Sequence, residues 1–128
     1  MSEVPPAAPR ELVWVGSSKR DLLAFPDVVQ DVMGYALWLA QIGRKHNDAK
    51  PLRGFGGAGV LEIRDNYGGD TYRTVYTVTL KTAVYVLHAF QKKATRGIAT
   101  PQPDIELVRR RLQAAQVLDR QRQQAEPG

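Results

Sequence analysis

The middle of the chain carries its densest run of β-branched and aromatic residues, and this run limits the choice of fold most strongly. Residues 60–64 alternate apolar with polar side chains, residues 71–80 are mostly Thr, Val and Tyr, and residues 83–90 are almost continuously apolar. The turn-rich stretch 65–70 separates the first two segments, as in a β-hairpin. The pattern predicts a three-stranded β-meander whose last strand is central and buried on both faces.

Helical patterns flank this predicted meander. A short strand is expected over residues 11–15, followed by a helical turn, and a longer helix is expected from about Asp27, after Pro26, to a stop at Gly43. Its apolar stripe is predicted to comprise Val28, Val32, Tyr35, Ala36, Leu39 and Ile42. A last helix is predicted after Thr100-Pro101, with the stripe Ile105, Val108, Leu112 and Ala115. These elements together predict an α/β (α+β) fold.

The length of 128 residues suits one domain. We expect a disordered extension over residues 1–10, one domain over residues 11–118, and a polar tail over residues 119–128 that frays. No apolar stretch is long enough to span a bilayer, and the Pro- and Ala-rich start does not resemble a secretory signal. With no cysteine and two histidines, the chain is expected to be cytoplasmic, without disulfides, metal or cofactor.

The positive charge is concentrated in the middle of the sequence. The net charge is +5, with six basic and six acidic residues in 1–50, seven and three in 51–100, and five and four in 101–128. This distribution predicts a basic face and favours a polyanionic partner, most simply nucleic acid. A soluble protein with an incidental positive charge fits the same numbers, so charge alone leaves both interpretations open.

Five cations could form one cluster beside the predicted hairpin. Arg64 precedes the hairpin loop and Arg73 follows it, while the end of the third strand is followed by Lys92, Lys93 and Arg96. If Arg64 and Arg73 share a face, such a cluster can hold a phosphodiester and stabilise the charge that develops on it. Taken singly, each residue is equally compatible with a surface ion pair. Arg64, for example, has three acids near it in sequence: Glu62, Asp65 and Asp70.

Other candidate residues have competing interpretations. His88 shares its strand parity with Val84, Val86 and Phe90, so it is either a half-buried core residue or a proton-transfer group near the basic loop. The tyrosines of the meander could stack on bases but are more typical of packing on a sheet: Tyr67, Tyr72, Tyr76 and Tyr85. The glycine-rich stretch 51–59 lacks the Gly-Lys-Ser/Thr ending of a phosphate loop and indicates a flexible connection.

Several motifs in this order and spacing resemble the RelE/ParE toxin superfamily, and most closely its HigB-like, phage-related branch. The resemblance covers roughly residues 12–115. It is carried by Glu62-Ile63-Arg64, by Tyr72-Arg73 with Val75-Tyr76, and by the run HAFQKK at residues 88–93 before Thr100-Pro101. The family implies a small domain in which two N-terminal helices pack on a twisted, mostly antiparallel sheet and a C-terminal helix follows.

The resemblance also implies an activity. RelE-like toxins enter the ribosomal A site and cut mRNA through attack of the ribose 2′-hydroxyl on its own phosphate. Carried over, Arg73 would bind the scissile phosphate, Arg64 would occupy the basic position of the preceding strand, and Lys92 with Lys93 would form the basic pair after the last strand. His88 occupies a position that some HigB-like members also fill with histidine, and we assign Arg53 and Arg96 to RNA binding.

The sequence departs from RelE in having no tyrosine after Tyr85, so the general base is left open between His88, Lys92 and the ribosome itself. We therefore expect a metal-independent endoribonuclease, the toxin of a type II toxin–antitoxin pair. Its expected partners are the ribosome, mRNA and a cognate antitoxin of the helix-turn-helix type, bound as a hetero-oligomer, and no membrane. The alternatives are a ParE-like gyrase inhibitor without nuclease activity and a non-catalytic nucleic-acid or protein-binding module.

Overall fold

The computed structural model describes residues 8–93 and 99–125. The elements along the chain are β1 (Glu11–Trp14), α1 (Ser18–Leu23), α2 (Asp27–Gln41), β2 (Ala49–Pro51), β3 (Val60–Tyr67), β4 (Asp70–Thr77), β5 (Ala83–Lys92) and α3 (Gln102–Ala125). The strands form one sheet in the order β1-β5-β4-β3-β2, in which β1 pairs with β5 in parallel and the other neighbours are antiparallel. The predicted α/β class, with two N-terminal helices, a mostly antiparallel sheet and a C-terminal helix, is confirmed.

The hairpin between β3 and β4 is tighter than the sequence pattern indicated. Both strands continue through the predicted loop and leave a two-residue turn at Gly68 and Gly69, whose φ angles are 60° and 87°. Two successive residues with positive φ form the turn that matches the twist of a hairpin, and glycine adopts that conformation without steric cost. The short strand β2 was not predicted, and it pairs with the outer edge of β3.

Apolar side chains cover both faces of the sheet. Helices α1 and α2 cover one face, with a core that includes Leu22, Phe25, Val29, Met33, Ile63, Tyr72, Tyr76 and Val86. Helix α3 covers the other face, with Val60, Val75, Tyr85, Leu87, Val108, Leu112 and Ala115. Strand β5 contributes to both cores, as expected of a central strand, and three of the four meander tyrosines are buried in packing.

The buried stripe of α2 differs from the predicted one. The buried side chains are Val29, Met33, Ala36, Leu37, Leu39 and Ala40, whereas Val28 and Tyr35 are exposed. The helix is apolar over most of its circumference, so two stripes one residue apart fit the same periodicity. The predicted stripe is therefore wrong at Val28 and Tyr35, and these two apolar side chains face outward.

A β-bulge in β5 changes the face on which its second half lies. Tyr76 pairs with Val86 but Val75 pairs with His88, so Leu87 is the extra residue. An extra residue on one strand reverses the alternation beyond it. The sequence-based placement of His88 on the face of Val84 and Val86 is therefore wrong. His88 and Phe90 lie on the α3 side.

Helix α3 continues to Ala125, beyond the point at which we expected the chain to fray. Asp119 is buried on this last part of the helix and accepts hydrogen bonds from the backbone amides of Lys81 (2.9 Å) and Thr82 (2.8 Å) and from the Tyr85 hydroxyl (3.1 Å). The polar composition of residues 119–125 gave no indication that Asp119 is buried and joins α3 to the turn between β4 and β5. Within the described residues, none of the helices is long and apolar enough to cross a membrane.

Candidate nucleic-acid interface

Three rows of side chains cross the α3 side of the sheet near the β3–β4 hairpin. In the first row Arg64 of β3 lies directly opposite Arg73 of β4, and Phe90 of β5 follows. The second row contains Lys50, Glu62, Val75 and His88 from four neighbouring strands. The third contains Asn66, Thr71 and Lys92. Since directly paired residues share a face, Arg64 and Arg73 lie on one side of the sheet, which is the condition that the cluster requires.

Glu62 joins the two arginines. Its side chain is buried, and its Oε1 accepts a hydrogen bond from Arg64 Nε at 2.7 Å. Its Oε2 accepts one from the Thr100 hydroxyl at 2.7 Å and lies 3.9 Å from Arg73 Nη1. The ion pair of Arg64 with Glu62 that the sequence allowed is therefore present. One carboxylate thus offsets part of the charge of two guanidinium groups, and its hydrogen bond fixes the orientation of the Arg64 side chain.

Arg73 lies beneath this carboxylate. Its side chain is 1 % exposed, its Nη1 donates to the Thr100 hydroxyl at 3.2 Å, and its guanidinium carbon lies 5.8 Å from the centre of the Phe90 ring. Burial lowers the pKa of the Arg73 guanidinium, and the nearby Glu62 opposes that shift. Arg73 is therefore a buried residue that holds Thr100 by a hydrogen bond and Glu62 by an ion pair.

An open groove of about 1030 Å³ lies above these residues, between β2, β3 and the start of α3. Four cationic side chains from three segments line it: Lys50, Arg53, Arg64 and Arg109. Arg109 packs over the ring of Phe55, with its guanidinium carbon 5.0 Å from the ring centre, and this contact fixes the long side chain at the rim. Converging cations on a concave surface form a site for an anionic chain such as a nucleic-acid backbone.

Carboxyl groups interrupt the cationic lining. Asp48 and Asp65 line the groove along with Glu62. The pKa of the Asp65 carboxyl is raised by burial first and by the neighbouring Asp48 second. A carboxyl group with a raised pKa exchanges a proton closer to neutral pH than an ordinary one does, which suits it to accept or donate a proton.

His88 does not line this groove. Its imidazole Nε2 lies 2.7 Å from Asp104 Oδ1 of α3, and its ring stacks on Phe90 with 4.6 Å between the ring centres. The side chain is buried. Of the two interpretations offered for His88, the position among core contacts fits the structural one, and it links the sheet to the first turn of α3.

The remaining predicted residues divide between the groove, the end of β5 and the undescribed part of the chain. Arg53 is exposed and lines the groove. Lys92 ends β5 opposite Thr71, half-buried, and Lys93 follows it exposed; neither is among the lining residues. Arg96 lies outside the described residues.

Sequence reasoning missed Lys50, Thr100 and Arg109 as members of this site. Lys50 belongs to the unpredicted strand β2, opposite Glu62, and Arg109 belongs to a run of three arginines in α3. Arg109 and Arg110 are exposed, whereas Arg111 turns inward and donates to the Leu87 carbonyl at 2.9 Å. Only the packing of α3 across the sheet brings Arg109 to the groove.

Comparison with known proteins gives one family. Residues 20–113 match the family model of the phage-derived Gp49-like proteins (DUF891). No curated protein and no solved structure matches the chain significantly. The matched range begins within α1, contains α2 and all strands except β1, and ends within α3. Because the match covers most of the chain, this protein belongs to the Gp49-like family of phage-derived proteins, a family of the RelE-like toxin type.

Proposed function

We propose that this protein is the toxin of a type II toxin–antitoxin pair, of the HigB-like branch, and that it cuts mRNA on the ribosome without a metal ion. Membership of a RelE-like toxin family supports the toxin role. The observation that carries the proposal is the groove. Lys50 with Arg53, Arg64 and Arg109 come from three segments of the chain and line one concave surface of a size that accommodates a single-stranded backbone.

In the proposed reaction the ribose 2′-hydroxyl of the message attacks the adjacent phosphorus. The bond from the 2′ oxygen to phosphorus forms, the bond from phosphorus to the 5′ oxygen of the next nucleotide breaks, and the products are a 2′,3′-cyclic phosphate and a 5′-hydroxyl. Arg64 stabilises the negative charge that develops on the phosphate oxygens, and Arg73 holds Glu62 and Thr100 in place from below. Lys92 and Lys93 hold the flanking backbone.

Proton transfer requires a base for the 2′ proton and an acid for the 5′ oxygen. His88 is buried against Asp104 and is not among the lining residues of the groove. Asp65 lines the edge of the groove but pairs with Tyr72, so its side chain projects from the face of β3 opposite to Arg64. We therefore assign the base to Lys92 or to the ribosome itself. The ribosome and the message supply the remaining positioning.

In the cell the proposed toxin acts in the cytoplasm and is neutralised by a cognate antitoxin of the helix-turn-helix type in a hetero-oligomer. Acidic side chains of that antitoxin would complement the cationic groove and exclude RNA from it. Association of the two proteins should therefore weaken as salt is added, and an affinity independent of salt would argue against an electrostatic contribution.

The test is induction of the chain in a bacterial host, with growth and primer extension on cellular messages as readouts. We expect growth arrest and discrete cuts within translated codons. Arg64→Ala should abolish both, whereas Arg20→Ala, which removes an arginine at the exposed surface of α1, should leave both unchanged. Toxicity equal to that of the parent in Arg64→Ala would refute the role of this residue. Intact messages accompanied by DNA damage would identify a gyrase inhibitor instead.

One observation favours a second candidate, a non-catalytic nucleic-acid-binding module. Among the described residues the groove is lined by no histidine and no tyrosine, the side chains that most often transfer protons in metal-independent ribonucleases. A binding module would bind RNA through the same cations and would leave messages intact in the primer extension experiment, without growth arrest in any host.

A further inference from the structure

The outward side of α2 carries an apolar strip that the described residues leave about half exposed. Val28, Tyr35 and Trp38 are each about half exposed, at 55 %, 55 % and 47 %. The rings of Tyr35 and Trp38 stack with 6.2 Å between their centres. Large aromatic side chains side by side in solvent are unusual on a monomeric surface and are typical of an interface.

Charged side chains lie at opposite ends of this strip. Because an α-helix turns by about 100° per residue, Asp27, Val28, Asp31, Tyr35 and Trp38 fall within an arc of about 120°, with the two acids toward the N-terminal end. Beyond the C-terminal end, Arg44 and Lys45 are exposed. They line a cleft of about 430 Å³ together with Tyr35, Leu39, His46 and Asn47. The strip is therefore acidic at one end, aromatic in its middle and basic at the other end.

The centre of the strip permits close approach. Gly34 is exposed between the two aromatic residues and the acids, and a Cβ placed there would meet nothing within 4 Å. Glycine within a helix lowers helix stability by about 1 kcal/mol relative to alanine. At Gly34 this loss is not offset by any closer contact within the described chain. A second helix crossing at this point can come closer than it could over a larger side chain.

An acidic end and a basic end on one helix face make that face complementary to itself. When two copies pack with their α2 helices antiparallel about a two-fold axis midway between Tyr35 and Trp38, Asp27 and Asp31 of each copy approach Arg44 and Lys45 of the other. The apolar side chains then meet in the middle. RNA fits the strip less well, because exposed Val28 and the two acids offer nothing to a phosphate backbone.

We propose that the exposed face of α2 is the interface of a symmetric homodimer, and that its occupant is a second copy of this chain. The interface lies on the opposite side of the sheet from α3 and does not depend on the activity of the groove. A single helix face is small for an interface, so the dimer dissociates in the micromolar range or above.

The first test is sedimentation equilibrium of the purified full chain up to about 0.5 mM. We expect the average mass to rise with concentration toward twice the chain mass of 14.2 kDa. Trp38→Ala should weaken association about tenfold or more, because it removes a central aromatic contact. The matched control Val117→Ala, at an exposed apolar position on α3, should not change it. A monomer throughout this range overturns the proposal.

The second test distinguishes association through the self-complementary charges of α2 from non-specific association of its apolar side chains. Asp27→Lys with Asp31→Lys makes the face wholly basic, and Arg44→Glu with Lys45→Glu makes it wholly acidic. Each double variant alone should be monomeric where the parent is dimeric, and an equimolar mixture should form a heterodimer. A mixture that stays monomeric, or double variants that dimerise like the parent, would overturn the antiparallel arrangement. A monomeric chain in which Trp38→Ala abolishes RNA binding would instead assign the face to nucleic acid.

Discussion

Two buried carboxylates on the α3 side of the sheet have opposite surroundings. Asp119, near the turn between β4 and β5, accepts hydrogen bonds from neutral groups, two of them backbone amides. Glu62, near the β3–β4 hairpin, lies between two guanidinium groups and the Thr100 hydroxyl. The first carboxylate is enclosed by protein, and the second lines a groove open to solvent.

The difference indicates what each carboxylate is for. A buried carboxylate that is satisfied by amides and hydroxyls joins elements distant in sequence, and α3 is joined in this way to the β4–β5 turn. A carboxylate that holds two arginines beside an open groove keeps cations in a fixed arrangement where a ligand can reach them. Removal of Asp119 should therefore cost stability, whereas removal of the Glu62 charge should mainly alter binding.

The largest effect is expected from Asp119→Ala. The amides of Lys81 and Thr82 and the Tyr85 hydroxyl would lose a buried acceptor, at about 1 kcal/mol each, or about 3 kcal/mol in total. Urea unfolding of the variant and the parent at pH 7 measures this loss. Glu106→Ala, at an exposed position of the same helix, should change the free energy of unfolding by less than about 0.5 kcal/mol. A loss for Asp119→Ala as small as that of Glu106→Ala would contradict the anchoring role.

The Asp119 carboxylate should also make the free energy of unfolding depend on pH. Burial alone would raise the pKa of Asp119, but hydrogen bonds from Thr82, from the Lys81 amide and from Tyr85 outweigh it and lower the pKa from 3.8 to about 2. A lowered pKa in the folded state stabilises the fold above the unfolded value of 3.8, and this contribution is lost as the pH falls toward 2. Its size is about 2 kcal/mol. The stability difference between the parent and Asp119→Ala should therefore shrink between pH 6 and pH 2, and a constant difference would contradict the assignment.

The smallest effect on stability is expected from Glu62→Gln. The amide retains the acceptor for Thr100 but removes the negative charge between Arg64 and Arg73. Because the Asp104 carboxylate also acts on Arg73, we expect a loss below the roughly 3 kcal/mol that a buried charge without any partner costs, at about 1 kcal/mol. The groove becomes more positive, and affinity for single-stranded RNA at low salt should rise several-fold. Fluorescence anisotropy with a labelled oligonucleotide measures the affinity. Unchanged or weaker RNA binding in a folded Glu62→Gln variant would show that this carboxylate does not limit the groove.

The strands that carry Arg64 and Arg73 could be predicted, because the period of two is reliable in regular strands. Their shared face could not, because the sequence pattern placed a longer loop over residues 65–70, whereas the register is fixed by the two-residue turn at Gly68 and Gly69. The position of His88 could not be predicted. The bulge at Leu87 depends on the partner strand and on the Arg111 side chain that binds the Leu87 carbonyl. Neither can be recognised in the apolar sequence of residues 83–90 itself.

Long-range packing explains the other omissions. Arg109 reaches the groove only because α3 crosses the sheet beside β3, and the anchoring role of Asp119 requires the β4–β5 turn to lie beneath the end of the helix. Both residues occur in polar sequence, where a helix end and a frayed tail have the same composition. Polar composition alone therefore predicted neither the place of Arg109 in the groove nor the structural role of Asp119.

The most direct test of the central claim, that the groove beside Glu62 binds an RNA backbone, is the salt dependence of RNA affinity. We would measure the dissociation constant of the chain for a single-stranded oligonucleotide over a range of NaCl concentrations, for the parent, Arg64→Gln and Arg20→Gln. The account predicts that Arg64→Gln weakens binding and reduces the slope of log affinity against log salt by about one, while Arg20→Gln changes neither. Identical slopes and affinities for the parent and Arg64→Gln would contradict it.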